Sequence, residues 1–305
     1  MAINADTLLD RLYLKTQITR WRLLAIAFGV IALLIATDRF SAHSPIEKEF
    51  IARVPVEGFI GDDQKFYDLL ADVEENQKAK AVIIWIDSPG GSAVGGEEIF
   101  LRLRQMAEVK PVVAVMRSMS TSAGYMVALG ADHIVAREGT ITGSIGVLVE
   151  TAEISELVKK IGITPISIKS APLKGSPSLF EKATPESEQV LRNVIMDFYG
   201  RFVDMVAERR KLPREEVVRI ADGRVYSGKQ AFEYKLIDAI GGEREALAWL
   251  TEQRKISPEL EIKNIKLELH EDWFSGVSES IAGKFFQKSG LGLDGMISIW
   301  HPELR

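Results

Sequence analysis

The chain has 305 residues, enough for one sizeable catalytic domain with appendages and short for two. Hydrophobic residues make up 46% and charged residues 27%, which excludes a disordered chain, and the net charge of -5 gives no sequence-wide reason to grip nucleic-acid phosphates. Zero cysteines exclude disulfides, thiolate metal sites and a cysteine nucleophile, and the four histidines (His43, His133, His270, His301) are too scattered for a zinc site at helical spacing.

Residues 23–37 (LLAIAFGVIALLIAT) carry no charge, whereas Arg11, Lys15, Arg20 and Arg22 precede them with only Asp6 and Asp10 in opposition. At about 1.5 Å per residue this run spans roughly 23 Å against a hydrocarbon core of about 30 Å, so Trp21, Arg22 and Arg39 are expected at the interfaces. Asp38, Arg39 and Phe40 follow directly and offer no small-residue cleavage site, which favours an uncleaved signal anchor over residues 23–40. The excess of basic residues before it places residues 1–22 in the cytoplasm and the rest of the chain outside it. A polar linker, 41–49, then leads into a folded domain over 50–257.

Within that domain apolar runs alternate with amphipathic stretches. Strands are expected at Phe50–Ile60, Ala81–Ile86, Pro111–Met116, His133–Ala136, Ile145–Glu150 and Thr164–Ile168. Helices are expected at Gln64–Glu75, Gly96–Met106, Ser122–Leu129 and Ile154–Ile161. Continuous apolar runs suit strands covered on both faces, and the β-α-β order predicts an α/β fold with a mostly parallel sheet. Thr184 and Pro185 open a long helix whose stripe (Val190, Leu191, Val194, Ile195, Phe198, Phe202, Val206) packs on the sheet or enters a subunit interface. Beyond Pro258 the signal fades, and residues 258–305 are expected to form an arm or tail.

Chemistry concentrates in two segments that each follow a buried strand and open a helix. The first is Asp87-Ser88-Pro89-Gly90-Gly91-Ser92, whose glycines let backbone N–H groups approach a ligand. A phosphate cradle is excluded there, because Gly96 and Glu97 stand where the Walker pattern needs Lys and Ser or Thr. The second is Ser118-Met119-Ser120-Thr121-Ser122-Ala123-Gly124-Tyr125. A hydroxyl at the first turn of a helix suits a nucleophile, and serves equally as a plain N-cap. Only His133 lies near the central sheet, so a Ser-His-Asp triad is unsupported and a lysine base is the open alternative. Such a lysine must be desolvated and kept from carboxylates. Lys174 meets the second demand, with no acid after it until Glu181.

The ordered set of SPGG, S-x-S-A-G-Y, T-G-S-I-G, I-K-S-x-x-x-K and A-D-G-R-V-Y-S-G-K-Q-A resembles the signal peptide peptidase A family. These are membrane-anchored serine proteases of the Clp protease and crotonase superfamily. The likeness runs from about Phe50 to Leu250 and matches the short, single-repeat form. It implies Ser122 as nucleophile, Lys174 as general base, Ser144 as the hydroxyl that orients the lysine, and the amides of Gly91 and Ala123 as oxyanion hole. Ala123 departs from the glycine of many members but keeps its N–H. The resemblance further implies a homo-oligomeric ring that completes each dyad between subunits. It implies peptide substrates such as signal peptide remnants or membrane-protein segments, lying extended along Gly90 and Gly91, and no metal or organic cofactor. A non-catalytic scaffold that binds membrane proteins, or a crotonase-type acyl-CoA enzyme, would share the sheet.

Overall fold

The computed structural model describes residues 20–23, 25, 26, 28, 29, 48–266 and 297–299. The chain divides into two compact units, Met1–Lys48 and Glu49–Arg305. In the first, the described residues between 20 and 29 are helical and expose Trp21, Leu23, Ile26 and Phe28. Among the described residues no helix is long and apolar enough to cross a membrane. Most of the expected anchor over 23–40 and nearly all of the linker lie outside the described residues, as do 267–296 and 300–305 of the expected arm.

The second unit is a mixed α/β fold around one mostly parallel sheet. It begins with β1 (Phe50–Ile60), α1 (Gln64–Glu75), β2 (Ala79–Ser92), α2 (Ala93–Val109), β3 (Val112–Thr121), α3 (Ala123–Leu129), β4 (His133–Ala136) and β5 (Ile141–Gly143). After α4 (Ser155–Lys160) come α5 (Pro185–Arg210), α6 (Arg214–Ile220), β6 (Val225–Ser227), α7 (Gly228–Glu233), β7 (Ala239–Ile240), α8 (Glu243–Arg254), β8 (Glu261–Asn264) and β9 (Ile297–Ile299). The central order is β6-β5-β3-β2-β1-β8, with β4 and β7 attached through β3, and β9 on β2. Among the described residues, only the β2–β9 and β5–β6 pairs are antiparallel.

Both faces of the sheet are covered, which is why the central strands carry apolar runs such as Ala81–Ile86 and Val112–Met116. Alternate residues of β1 and β2 (Ala52, Val54, Val82, Ile84, Ile86) enter the large core with α1, α2, α3 and the second half of α5. The intervening ones (Ile51, Ala81, Ile83) meet Ala246 and Leu250 of α8 on the opposite face. Helix ends follow the sequence: Asp63 caps α1 through Lys65 and Phe66, and Thr184 with Ser187 forms a capping box at α5.

Two expected strands are not formed. Over Ile145–Glu150 the strand lies earlier, at β5, because Gly143 (φ 80°) and Ser144 (φ 51°) turn the chain out of the sheet. Thr164–Ile168 has no regular structure: Pro165 offers no N–H, and Ile166 and Ile168 are 84% and 96% exposed. The stripe of α5 is half used. Phe202, Val203 and Val206 are buried, whereas Val190 and Val194 are exposed.

Candidate active site

The site forms where β3 forks. Its first half pairs with β4 from Val113 to Met116, its second with β5 from Met119 to Thr121, and Ser122 follows at the carboxyl end. Ser122 is the N-cap of α3 but not a capping side chain: its backbone sits at φ 56°, ψ -120°, and its hydroxyl makes no cap hydrogen bond. That conformation is costly for a residue with a Cβ, and the turn is fixed from outside. The Ser122 amide donates to Gly143 O at 2.9 Å, and Met126 N donates to Ser122 O at 3.0 Å. The residue is 1% exposed, and its Oγ is buried with no hydrogen-bond partner among the described residues. A buried hydroxyl without a partner is destabilising for the fold, so neither capping nor packing explains this serine.

The Gly90-Gly91 segment is drawn to the same turn. Ser88 pairs with Ser120 across β2 and β3, and Thr121 Oγ1 donates to Pro89 O at 2.8 Å. Ser88 Oγ donates to Gly58 O at 2.6 Å and accepts from Gly90 N at 3.0 Å. Gly90, at φ 111°, uses a conformation that glycine alone adopts without strain. A Cβ on Gly91 would lie 2.1 Å from Ile60 O, so β1 and β2 approach as closely as they do because no side chain intervenes. At Gly96 a Cβ would meet the Ala123 Cβ at 3.0 Å, which seats the start of α2 directly on the start of α3. The amide of Ala123, in the first turn of α3, has by position no acceptor within the helix.

Ser144 joins Ser122 in lining a cavity of about 520 Å³. Its amide donates to Arg224 O at 2.8 Å, tying it to the residue before β6, and its φ of 51° lies in the left-handed region. Tyr226 packs against Gly143, where a Cβ would meet Tyr226 Cδ2 at 2.6 Å. The remaining wall is mostly apolar, with Val147, Leu148, Ile195 and Met196 prominent. Sequence reasoning gave no role to Tyr199, Ala221, Asp222 and Gly223, which complete the lining. The A-D-G-R motif was the available signal, since its first three residues form the wall and the carbonyl of its arginine holds Ser144. Asp222 is not a spare base: hydrogen bonds from the Arg224 guanidinium hold its carboxyl below the usual range. Burial, opposed by Arg214 and reinforced by Asp222, pushes the Tyr199 phenol up.

Lys174 lies elsewhere in the single chain. It is exposed on the turn around 171–175 and is not part of the cavity lining. The nearby Lys169 is occupied by Glu181 and by Ser176 Oγ at 3.5 Å, while the described residues give the Lys174 amine no hydrogen-bond or ion-pair partner. His133 takes no part either. It pairs with Val113, so Ser122 is roughly 30 Å further along β3, and its ring stacks on Trp249 at 4.8 Å.

A parallel α/β sheet with a strained, unpartnered serine at a strand end, facing an apolar cavity, defines a site of the serine-hydrolase class. The model of peptidase family S49 matches residues 104–257. A putative protease of Synechocystis sp. is 40% identical over 211 residues, covering 68% of this chain and 76% of that one. A putative protease of Methanocaldococcus jannaschii is 36% identical over 200 residues, 65% of this chain and 64% of the relative. A putative signal peptide peptidase SppA of Enterococcus faecium is 35% identical over 198 residues, 64% of this chain and 57% of the relative. The chain belongs to peptidase family S49, the signal peptide peptidase A family.

Proposed function

We propose that this protein is a membrane-anchored serine endopeptidase with a Ser122–Lys174 dyad. In this reading its catalytic domain lies outside the cytoplasmic membrane, held by the single segment at 23–40. The observation that carries the reading is the buried, unpartnered hydroxyl of Ser122 at a strained turn, sharing an apolar cavity with Ser144. Lys174 is supplied by a neighbouring copy in a homo-oligomeric ring. A base lysine must be desolvated, and an exposed turn meets that condition only when another subunit covers it.

The Lys174 amine accepts the Ser122 proton as Oγ attacks the peptide carbonyl. Charge developing on the carbonyl oxygen is met by the amides of Gly91 and Ala123, and the lysine ammonium then gives its proton to the departing amine. Water, deprotonated by the same lysine, attacks the acyl ester and releases the carboxylate with regeneration of Ser122. Ser144 holds the amine in line. Substrates are signal peptide remnants or membrane-protein segments, extended along Gly90 and Gly91 by backbone pairing. The apolar cavity wall supports apolar side chains next to the scissile bond, and the naming of the Enterococcus relative as a putative signal peptide peptidase accords with that class.

The test is fluorophosphonate labelling of the full chain together with turnover of an apolar signal-like peptide. A covalent adduct at Ser122 is expected, with loss of turnover by at least about a thousandfold in Ser122→Ala and in Lys174→Ala. Turnover retained in either variant removes that residue from the mechanism. An unlabelled oligomer that still binds peptide would indicate a scaffold.

A further inference from the structure

The β2–β3 ladder is interrupted just before the nucleophile turn. Ile86 pairs with Met116 and the next pair is Ser88 with Ser120, so Asp87 alone stands opposite Arg117, Ser118 and Met119. The two extra residues make a bulge in β3, and it falls where the strand leaves β4 after Met116 and takes up β5 at Met119. Side chains serve the backbone groups of this bulge. Asp87 Oδ1 accepts from Met119 N at 3.2 Å, Thr140 Oγ1 donates to Arg117 O at 2.6 Å, and Thr142 Oγ1 donates to Ser120 O at 2.7 Å. The two threonines tie β3 to the β5 side. Asp87 ties it across to β2, the strand that carries Gly90 and Gly91.

We infer that Asp87 is a positioning residue for Ser122: its carboxylate oxygen stands in for the ladder bond that the bulge removes, and so fixes the nucleophile turn relative to Gly90 and Gly91. The inference rests on reading Ser122 as the nucleophile and the Gly91 amide as an oxyanion donor. Met119 lies three residues before Ser122, about 10 Å of strand, so a shift of β3 at the bulge is carried to the nucleophile. A displacement of about 1 Å between nucleophile and oxyanion donors costs on the order of a hundredfold in rate. The acceptor atom matters here, and the charge does not. Arg117 Nη1 lies 3.7 Å from Asp87 Oδ2 and 3.4 Å from Glu57 Oε1 with its side chain 40% exposed, and solvent leaves such a pair little strength. β1 holds Gly90 and Gly91 separately, through Phe59 and Ile60, so the peptide rail keeps its place when Asp87 is changed.

Asp87→Leu keeps the bulk and removes the acceptor. In the full chain it is expected to slow fluorophosphonate labelling of Ser122, and to lower kcat for the signal-like peptide, about ten- to a hundredfold with KM within about twofold. Here kcat is counted per labelled serine, so that loss of folded protein is not read as loss of rate. Asp87→Asn, which restores an oxygen for Met119 N without the charge, is expected to recover both to within about threefold, and Arg117→Met to stay in the same range. Amide exchange at Met119 should quicken at least about tenfold in Asp87→Leu and stay as it is in Asp87→Asn. Unchanged labelling and kcat in Asp87→Leu overturns the inference. So does a loss of about tenfold or more in Asp87→Asn or Arg117→Met, and this pair decides by itself if Asp87→Leu does not fold. Failure of the peptidase reading looks different: no form is labelled or turns over, while exchange at Met119 still reports whether Asp87 holds the bulge.

Discussion

Ser122 is held against its own preferences. Its φ of 56° costs energy that a glycine at the same place would not incur, and its buried hydroxyl has no partner among the described residues to offset desolvation. Ser122→Gly is therefore expected to raise stability by about 1 kcal/mol in denaturant unfolding while abolishing fluorophosphonate labelling. A loss of stability would mean that the hydroxyl supports the fold. Gly91 is the converse case, a backbone contact with no room for a methyl group. Gly91→Ala drives a Cβ into Ile60 O and must push β1 from β2, so a destabilisation of about 1–3 kcal/mol is expected, with labelling at Ser122 slowed at the same time. Equal stability and unchanged labelling would show that the two strands separate freely there.

Elements differ in how completely they are committed to the core. In α5, Phe202 is fully buried and Phe202→Ala should cost about 3–5 kcal/mol, whereas Val194→Lys, on the exposed half, should leave subunit stability within about 0.5 kcal/mol. The stripe was legible in the sequence, but which half of it meets the sheet was not, because periodicity gives a face and not the length of its partner. β2, β3 and β4 were legible for the opposite reason: burial on both faces leaves apolar runs at Ala81–Ile86, Val112–Met116 and Ile134–Ala136. The two serines were found by motif, and their geometry was hidden, since Ser144 depends on Arg224 O, eighty residues away in the chain. The smaller elements after Lys211 carry too few apolar positions for a periodic signal, and the cavity wall at Ala221–Gly223 went unassigned with them. β4 and α8 are clasped by the His133–Trp249 stack, and here pH enters. Burial depresses His133 below its ordinary 6.5, with Asp238 opposing and Arg210 assisting. The unfolded chain then binds more protons than the folded one in the window below 6.5, so this contribution is complete above that pH and is lost as pH falls towards the folded value. The Asp238 carboxyl, itself held low by Arg210 against its own burial, acts only in the lower window beneath 3.8. Thermal unfolding from pH 7.5 to 5.5 should show a falling midpoint whose slope flattens in His133→Phe, which keeps an aromatic face on Trp249. An identical slope in that variant would place the titrating group elsewhere.

On the scale of the whole molecule, a single chain lines the cavity with Ser122 and Ser144, while Lys174, the base of the proposed dyad, is not among the lining residues. Lys174 stands on an exposed turn in a region rich in uncovered apolar side chains, with Ile161, Ile163, Ile166 and Phe180 all at least 46% exposed. Exposed apolar side chains in that number suit a partner surface, and in the proposed ring a second copy that covers them would bring the turn against a neighbouring cavity. In the proposed ring, a heterologous, head-to-tail contact that closes, each site draws Ser122 from one subunit and Lys174 from the next. Co-assembly of equal amounts of Ser122→Ala and Lys174→Ala then gives an intact pair wherever a Lys174→Ala subunit precedes a Ser122→Ala subunit, about one site in four for random order. Two inactive proteins should thus yield mixed particles with about a quarter of the unmodified activity, while each protein assembled alone stays inactive. Val194→Lys is expected to lower the particle mass if α5 borders the same contact, which links the element to the assembly. Mixed particles of verified composition that remain wholly inactive would confine each dyad to one chain and require the 171–175 turn to fold back onto its own cavity.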